Sequence, residues 1–196
     1  MICFNDVYRG RRVLVTGHTG FKGSWLALWL NHLGAEVAGL SLDIPSTPSN
    51  FELLGLEQRL QHYEGDIRDR SRLEQVIDEF KPDIVFHLAA QALVRQSYAD
   101  PVTTFETNVM GMVNILECVR TRPWISAALL VTSDKAYRNV EWCWGYRETD
   151  ALGGNDPYSG SKSCADLVAQ SYFHSYLRHT PTRIAIKIRL SYKIGT

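Results

Sequence analysis

The 196-residue sequence is poor in cysteine, carries no excess charge of either sign and lacks long apolar runs. Its four cysteines, Cys3, Cys118, Cys143 and Cys164, include no Cys-x-x-Cys pair, and no histidine cluster accompanies them at zinc-ligand spacing. A disulfide framework and a zinc site are therefore not expected, and no metal ligand is assigned. Scattered thiols of this kind suit the reducing cytoplasm. The 21 basic residues balance 21 acidic ones, so no overall field attracts nucleic acid or anionic lipid, and any phosphate must be held by local geometry. No segment approaches the roughly 20 apolar residues of a membrane span. Arg9, Arg11 and Arg12 precede only a short apolar strand, not the longer apolar stretch and cleavage site of a secretory signal. Internal repeats and low-complexity tracts are missing too.

What is present is the composition of an ordinary globular chain, long enough for one well-buried domain over residues 1–196. Short apolar runs alternate with amphipathic stretches. Strands are expected at 13–15, 37–42, 62–65, 83–88 and 128–132, with a final alternating one at 183–190. Helices are expected at 24–33, 71–80, near 103–120 and at 157–177. A strand-helix alternation with right-handed crossovers gives a doubly wound parallel sheet covered by helices on both faces, the Rossmann-type α/β architecture.

The first strand runs into Thr16-Gly17-His18-Thr19-Gly20-Phe21-Lys22-Gly23, which opens the first helix. Glycines here permit a tight turn (Gly17), close approach of a pyrophosphate to the backbone (Gly20) and close packing of helix on sheet (Gly23). A helix N-terminus supplies unpaired N–H groups and about half a positive charge, so a dinucleotide phosphate needs no basic side chain. Asp43, near the end of the second strand, stands where a carboxylate accepts from an adenosine ribose. Asp66 and Ile67 follow the third strand, where the acid can bond an adenine amino group and the isoleucine cover its face; helix capping is the competing role for Asp66. Leu88, Ala89, Ala90 and Gln91 end the fourth strand with small residues that leave room for the middle of a cofactor.

Ser133, Asp134 and Lys135 stand at the carboxyl end of the fifth strand, and Tyr158 and Lys162 begin the following helix, four residues apart and so on one face. Bringing a tyrosine from about 10 to ~7 takes about 4 kcal/mol of preference for the phenolate, which an ammonium and a positive nicotinamide ring can supply. Tyr158 then reads as a general base, with Ser133 bonded to the same substrate hydroxyl and Lys162 beside it.

These motifs resemble those of the extended short-chain dehydrogenases/reductases, in the NAD-dependent epimerase/dehydratase branch, and most closely the CDP-glucose 4,6-dehydratases. The resemblance rests on residues 16–25, 65–69, 87–91 and 107–111, and on Thr132-Ser133-Asp134-Lys135, Trp144-Gly145-Tyr146-Arg147-Glu148 and Asp156-Pro157-Tyr158-Ser159. It implies NAD as cofactor and CDP-glucose as the nucleotide-sugar substrate, with water lost across sugar C5 and C6. It further implies that Asp134 protonates the departing hydroxyl and that Lys135 stands where thymidine-sugar dehydratases carry glutamate. Phe21, Lys22, Asp66, Ile67, Leu88, Ala89, Ala90, Gln91 and Thr107 are implied to line the NAD site. Relatives pair through a four-helix bundle, which makes a homodimer an expectation for the helices near 103–120 and 157–177. Departures from the pattern are Ala92 for proline, Arg138 for an acid and Tyr192 for asparagine. The family continues past this point into a nucleotide-sugar domain that this chain largely lacks, so a truncated chain is expected. A 4-epimerase and an NAD-binding but inactive partner protein remain open beside the dehydratase.

Overall fold

The computed structural model describes residues 4–180 and the backbone of 184–188. Tyr192, Arg183, Arg189 and Leu190, named above, lie outside the described residues, as does Cys3. Six parallel strands form one sheet: β1 (Arg12–Thr16), β2 (Glu36–Ser41), β3 (Gln61–Glu64), β4 (Ile84–His87), β5 (Ala127–Val131) and β6 (Ile184–Ile188). Their order is β3-β2-β1-β4-β5-β6, the doubly wound order with its reversal between β1 and β4. Val13 pairs with Val37 on one side and Ile84 on the other, so the first strand lies at the centre.

Central parallel strands are covered on both faces, which explains why 13–16 reads as a continuous apolar run. Val13 and Val15 face one core with Ala27, Leu30, Val37 and Phe51. Leu14, Ala38 and Leu40 face the other with Leu73, Ile77, Ile115, Leu116 and Ala165. The first core lies under α1 (Phe21–His32), which turns Gly23, Ser24, Ala27 and Leu30 inward, and α2 (Asn50–Leu53). The second lies under α3 (Arg70–Phe80), α6 (Gly111–Thr121) and α7 (Pro157–Tyr172).

Several elements differ from the sequence expectation, among them α2 and the π-turn Phe173–Leu177 that ends the helix expected at 157–177. The first helix begins at Phe21, three residues earlier than expected, so Phe21, Lys22 and Gly23 are its first turn and not part of the loop. The expected helix near 103–120 is α5 (Pro101–Phe105), a π-turn (Glu106–Met110) and α6. A π-turn inserts one residue into the helical repeat, and here it turns Asn108 inward. A further helix, α4 (Val94–Ala99), has no apolar period to reveal it, because its buried residue is Ser97.

Candidate active site

At the reversal of strand order the chain leaves β1 and β4 toward opposite faces of the sheet, which opens a crevice at their carboxyl ends. Gly17 leads into it with φ +75°, and a Cβ there would lie 2.7 Å from the Ala89 nitrogen, so the turn is folded directly against the end of β4. Gly23 packs against the turn itself, since a Cβ would fall 2.0 Å from the Gly17 oxygen. That corrects the expectation that it serves contact between helix and sheet. Space in front of Gly20 is open, its would-be Cβ meeting only the Gly17 oxygen at 3.4 Å.

Aspartate side chains cap α3, α5 and α7 through Asp69, Asp100 and Asp156. By contrast α1 is capped by Gly20 with no side-chain acceptor. No side chain therefore blocks the start of α1, whose dipole favours an anion there. Beside the turn, Thr19 Oγ1 donates to the Asp43 carbonyl at 2.6 Å, which brings the exposed Asp43 to the glycine turn.

The opposite wall is built from the end of β4. Thr16 Oγ1 accepts from Ala89 N at 3.2 Å and lies 2.8 Å from His87 Nδ1. Asn108, missed as a site-shaping residue in the sequence reading, accepts from Gln91 N at 2.9 Å and donates to Gln91 O at 3.0 Å. It also donates to Ser161 Oγ at 2.8 Å, tying the β4 loop to α7. An asparagine next to Thr107 in an expected helix was the available signal, and polar neighbours such as Thr103, Thr104 and Glu106 conceal it. Thr107 itself is half-buried on the π-turn.

At the far end of the crevice a cleft of about 560 Å³ is lined by Asp66, Arg68, Asp69, Glu106, Met110 and Asn114. Arg68 donates to the Asp66 carboxylate through Nε and Nη2 at 2.8 and 2.6 Å and approaches Glu106 at 3.5 Å. Burial would raise the Asp66 carboxyl, but the Arg68 hydrogen bonds outweigh it and hold it below the usual range. Asp66 is not a helix cap, since Asp69 fills that role for α3. Ile67 is buried, with its Cδ1 2.5 Å from where a Gly111 Cβ would stand, so its side chain packs into the core and does not cover a ring in the cleft.

The reactive groups assemble at β5 and α7. Ser133 Oγ accepts from Lys135 N at 3.2 Å and lies 3.1 Å from Asp134 Oδ1, and its hydroxyl favours the Tyr158 phenolate. The Lys162 ammonium lies 6.0 Å from the Tyr158 ring centroid and is buried. Its charge disfavours protonation of His87, and the contact of Gly17 with Ala89 and the Asn108 bonds to Gln91 and Ser161 bring glycine turn, β4 end and α7 together. Lys135 is exposed at its edge.

Charge is not yet arranged for base catalysis. Burial raises Tyr158 above its ordinary value, Asp134 and Asp156 add to this, and the Ser133 hydrogen bond opposes it. Burial lowers Lys162 to about 8. The expected depression of Tyr158 is therefore absent from the chain by itself, because desolvation disfavours the phenolate and its nearest carboxylates repel it.

The chain matches the family model described as GDP-mannose 4,6 dehydratase over residues 14–188. It belongs to that family. Among curated members it is 55% identical over 171 residues to the CDP-glucose 4,6-dehydratase of Salmonella typhimurium, covering 87% of this chain and 48% of that protein. It is 32% identical to a dTDP-glucose 4,6-dehydratase of Xanthomonas campestris, covering 83% of this chain and 49% of that one. Among solved structures, the Thermus thermophilus UDP-glucose 4-epimerase in complex with NAD superimposes with TM-score 0.78 at 31% identity, over 91% of this chain and 54% of that one. The Streptomyces venezuelae dTDP-glucose 4,6-dehydratase with NAD bound superimposes with TM-score 0.75 at 28% identity, over 91% and 55%. The chain spans about half the length of the curated family members it matches.

Proposed function

We propose that this chain is a single NAD-binding domain carrying the catalytic groups of a nucleotide-sugar 4,6-dehydratase that converts CDP-glucose to CDP-4-keto-6-deoxyglucose. The observation that carries the reading is the joining of Ser133, Tyr158 and Lys162 in the crevice that the uncapped glycine turn opens. The identity to the Salmonella enzyme supports the choice of sugar nucleotide.

The residues present fit NAD. Gly17, Gly20, Phe21, Lys22 and Gly23 would hold the pyrophosphate at the start of α1, and Asp43 the adenosine ribose. Asp66 and the Ile67 backbone would edge the adenine, and Leu88, Ala89, Ala90, Gln91 and Thr107 the middle. When bound, NAD would accept a hydride from sugar C4 and return it to C6. The chain's own groups do the proton work: Tyr158 takes the proton of the C4 hydroxyl while Ser133 orients it, and Lys162 stabilises the phenolate. Asp134 gives a proton to the C6 hydroxyl as it leaves, and Lys135 stands to take the proton from C5.

Calorimetry with NAD, followed by incubation with CDP-glucose, tests the reading. A 4-keto sugar, seen by its strong ultraviolet absorbance in alkali, is expected. A C4-inverted sugar would instead make the chain an epimerase, the activity named for several of its structural neighbours. Asp134 beside Ser133 favours elimination, since inversion at C4 needs no acid for a leaving hydroxyl. NAD binding without turnover would support the inactive partner reading.

We further infer a cytoplasmic homodimer. Cys118, Cys143 and Cys164 form no disulfide among the described residues, which accords with a reducing compartment. No helix among the described residues is long and apolar enough to cross a membrane. Exposed Phe105, Met110, Leu167, Phe173 and Tyr176, from α5 to the π-turn after α7, offer the apolar face for pairing.

A further inference from the structure

His18, the residue between the first glycine of the turn and Thr19, does not face the crevice. Its ring is fully buried beneath Gly39 of β2, where any Cβ would fall 2.1 Å from the His18 Cγ. Position 39 must therefore be glycine for this ring to fit. His18 Nε2 lies 2.8 Å from Nδ1 of His62, a half-buried residue on β3, and Nδ1 lies 2.9 Å from Ser41 Oγ at the end of β2. Phe51 packs on both rings, 5.3 Å from each.

The hydrogen-bond network assigns the protons. The Leu40 carbonyl, which can only accept, favours a proton on the His18 ring. With Nε2 turned to His62, the ring proton belongs on Nδ1, facing Leu40 and Ser41. Nε2 is then an acceptor, and His62 Nδ1 must donate. Ser41 Oγ receives the Thr19 N–H at 3.3 Å as well, and Thr19 in turn holds the Asp43 carbonyl. Burial and the neighbouring His62 keep His18 neutral, with its pKa lowered to about 4, as the acceptor role requires.

We propose that His62 is a positioning residue for the dinucleotide site: through His18, Ser41 and Thr19 it latches the phosphate-binding turn and Asp43 into one body, although its own side chain reaches neither the turn's N–H groups nor Asp43. The proposal rests on the NAD reading for its functional consequence, and on the hydrogen-bond chain for its structural one. A site that must first order its turn binds with an affinity reduced by the fraction of molecules already ordered. Loss of the His62 donor leaves a buried acceptor on His18 unpaired, and a turn ordered in one molecule in ten gives about tenfold weaker binding, about 1.4 kcal/mol.

The test uses His62→Phe, which keeps a ring against Phe51 but donates nothing, and His62→Gln, whose amide still donates. Amide hydrogen exchange is read at Thr19 and Gly20, together with NAD affinity by calorimetry and long-range nitrogen-15 spectra of the His18 ring. The expected results are a protonated Nδ1 and bare Nε2 on His18, and at least tenfold faster exchange at Thr19 with about tenfold weaker NAD binding in His62→Phe. His62→Gln should restore both. Unchanged Thr19 exchange in His62→Phe, or equal loss in both variants, overturns the latch whatever the cofactor does. An intact latch in a protein that binds no NAD overturns instead the cofactor reading.

Discussion

Tyr158 is held by opposing influences. Burial and the carboxylates of Asp134 and Asp156 favour the neutral phenol, and Ser133 favours the phenolate. A base that is neutral until the site is filled is protected from idle ionisation and depends on charge brought by its ligand. Tyr158→Phe is therefore expected to leave NAD affinity within about twofold and to lower turnover roughly 10²–10⁴-fold, measured by calorimetry and keto-sugar absorbance. Lys162 shows the complementary cost. Its pKa falls from 10.5 to about 8 through burial, so holding it charged at pH 7 costs on the order of 3 kcal/mol. Between pH 8 and 10.5 the unfolded chain binds more protons at this group than the folded one, so its contribution makes stability rise with pH across that window. Buried His18 and His87, lowered to about 4 and about 3, act in the same sense at lower pH. Their stability is fully present above 6.5 and is lost as pH falls toward those values, with a slope of up to about 2–3 kcal/mol per pH unit. Urea midpoints from pH 4.5 to 10 should show both limbs. Lys162→Met should raise the pH 7 midpoint, flatten the alkaline limb and, by removing a charge that depresses His87, soften the acid limb slightly.

Among the elements, the π-turn between α5 and α6 has the largest influence on the crevice. It presents Asn108 to both backbone groups of Gln91, as a neighbouring strand would, and to Ser161 on the helix bearing Tyr158 and Lys162. Asn108→Ala removes three hydrogen bonds, two of them to the part-buried N–H and C=O of Gln91, expected to cost on the order of 3 kcal/mol. For a chain of this size that is a fall of roughly 6–12 °C in Tm, read by thermal denaturation. The helix starts divide by the same reasoning. Aspartate side chains cap α3, α5 and α7, and the glycine start of α1 puts no side chain between the helix end and the crevice.

For the molecule as a whole, two parts of the fold meet at the strand-order reversal, one carrying the glycine turn and Asp43, the other the β4 end and α7. A ligand spanning both binds only when they are folded together, so NAD at 100 times its Kd should add about 2.7 kcal/mol of stability. A Tm that rises with NAD concentration is the expected result, and an unchanged Tm would contradict binding. The exposed apolar residues Leu167 on α7, Phe173 and Tyr176 on the π-turn that follows it (Phe173–Leu177), and Phe105 and Met110 belong to the same scale. Sedimentation is expected to give a dimer, and Leu167→Glu with Tyr176→Glu a monomer that still binds NAD.

Much of this was legible before any coordinates, because local chemistry repeats on the chain. A buried parallel strand is a continuous apolar run, a phosphate turn requires glycines where backbone approaches backbone, and a tyrosine four residues before a lysine shares one helix face. Gly17, Gly20, Ser133, Tyr158 and Lys162 were named on those grounds. The side-chain partners came only from the tertiary structure. Ile67 turns into the core, Asp66 is taken by Arg68, Gly23 packs on its own turn, Asn108 is swung inward by a π-turn, and His18 reaches His62 across 44 residues of chain. Burial and hydrogen-bond pairing depend on what the fold places beyond each side chain, and that neighbour is distant in sequence, so no local pattern records it.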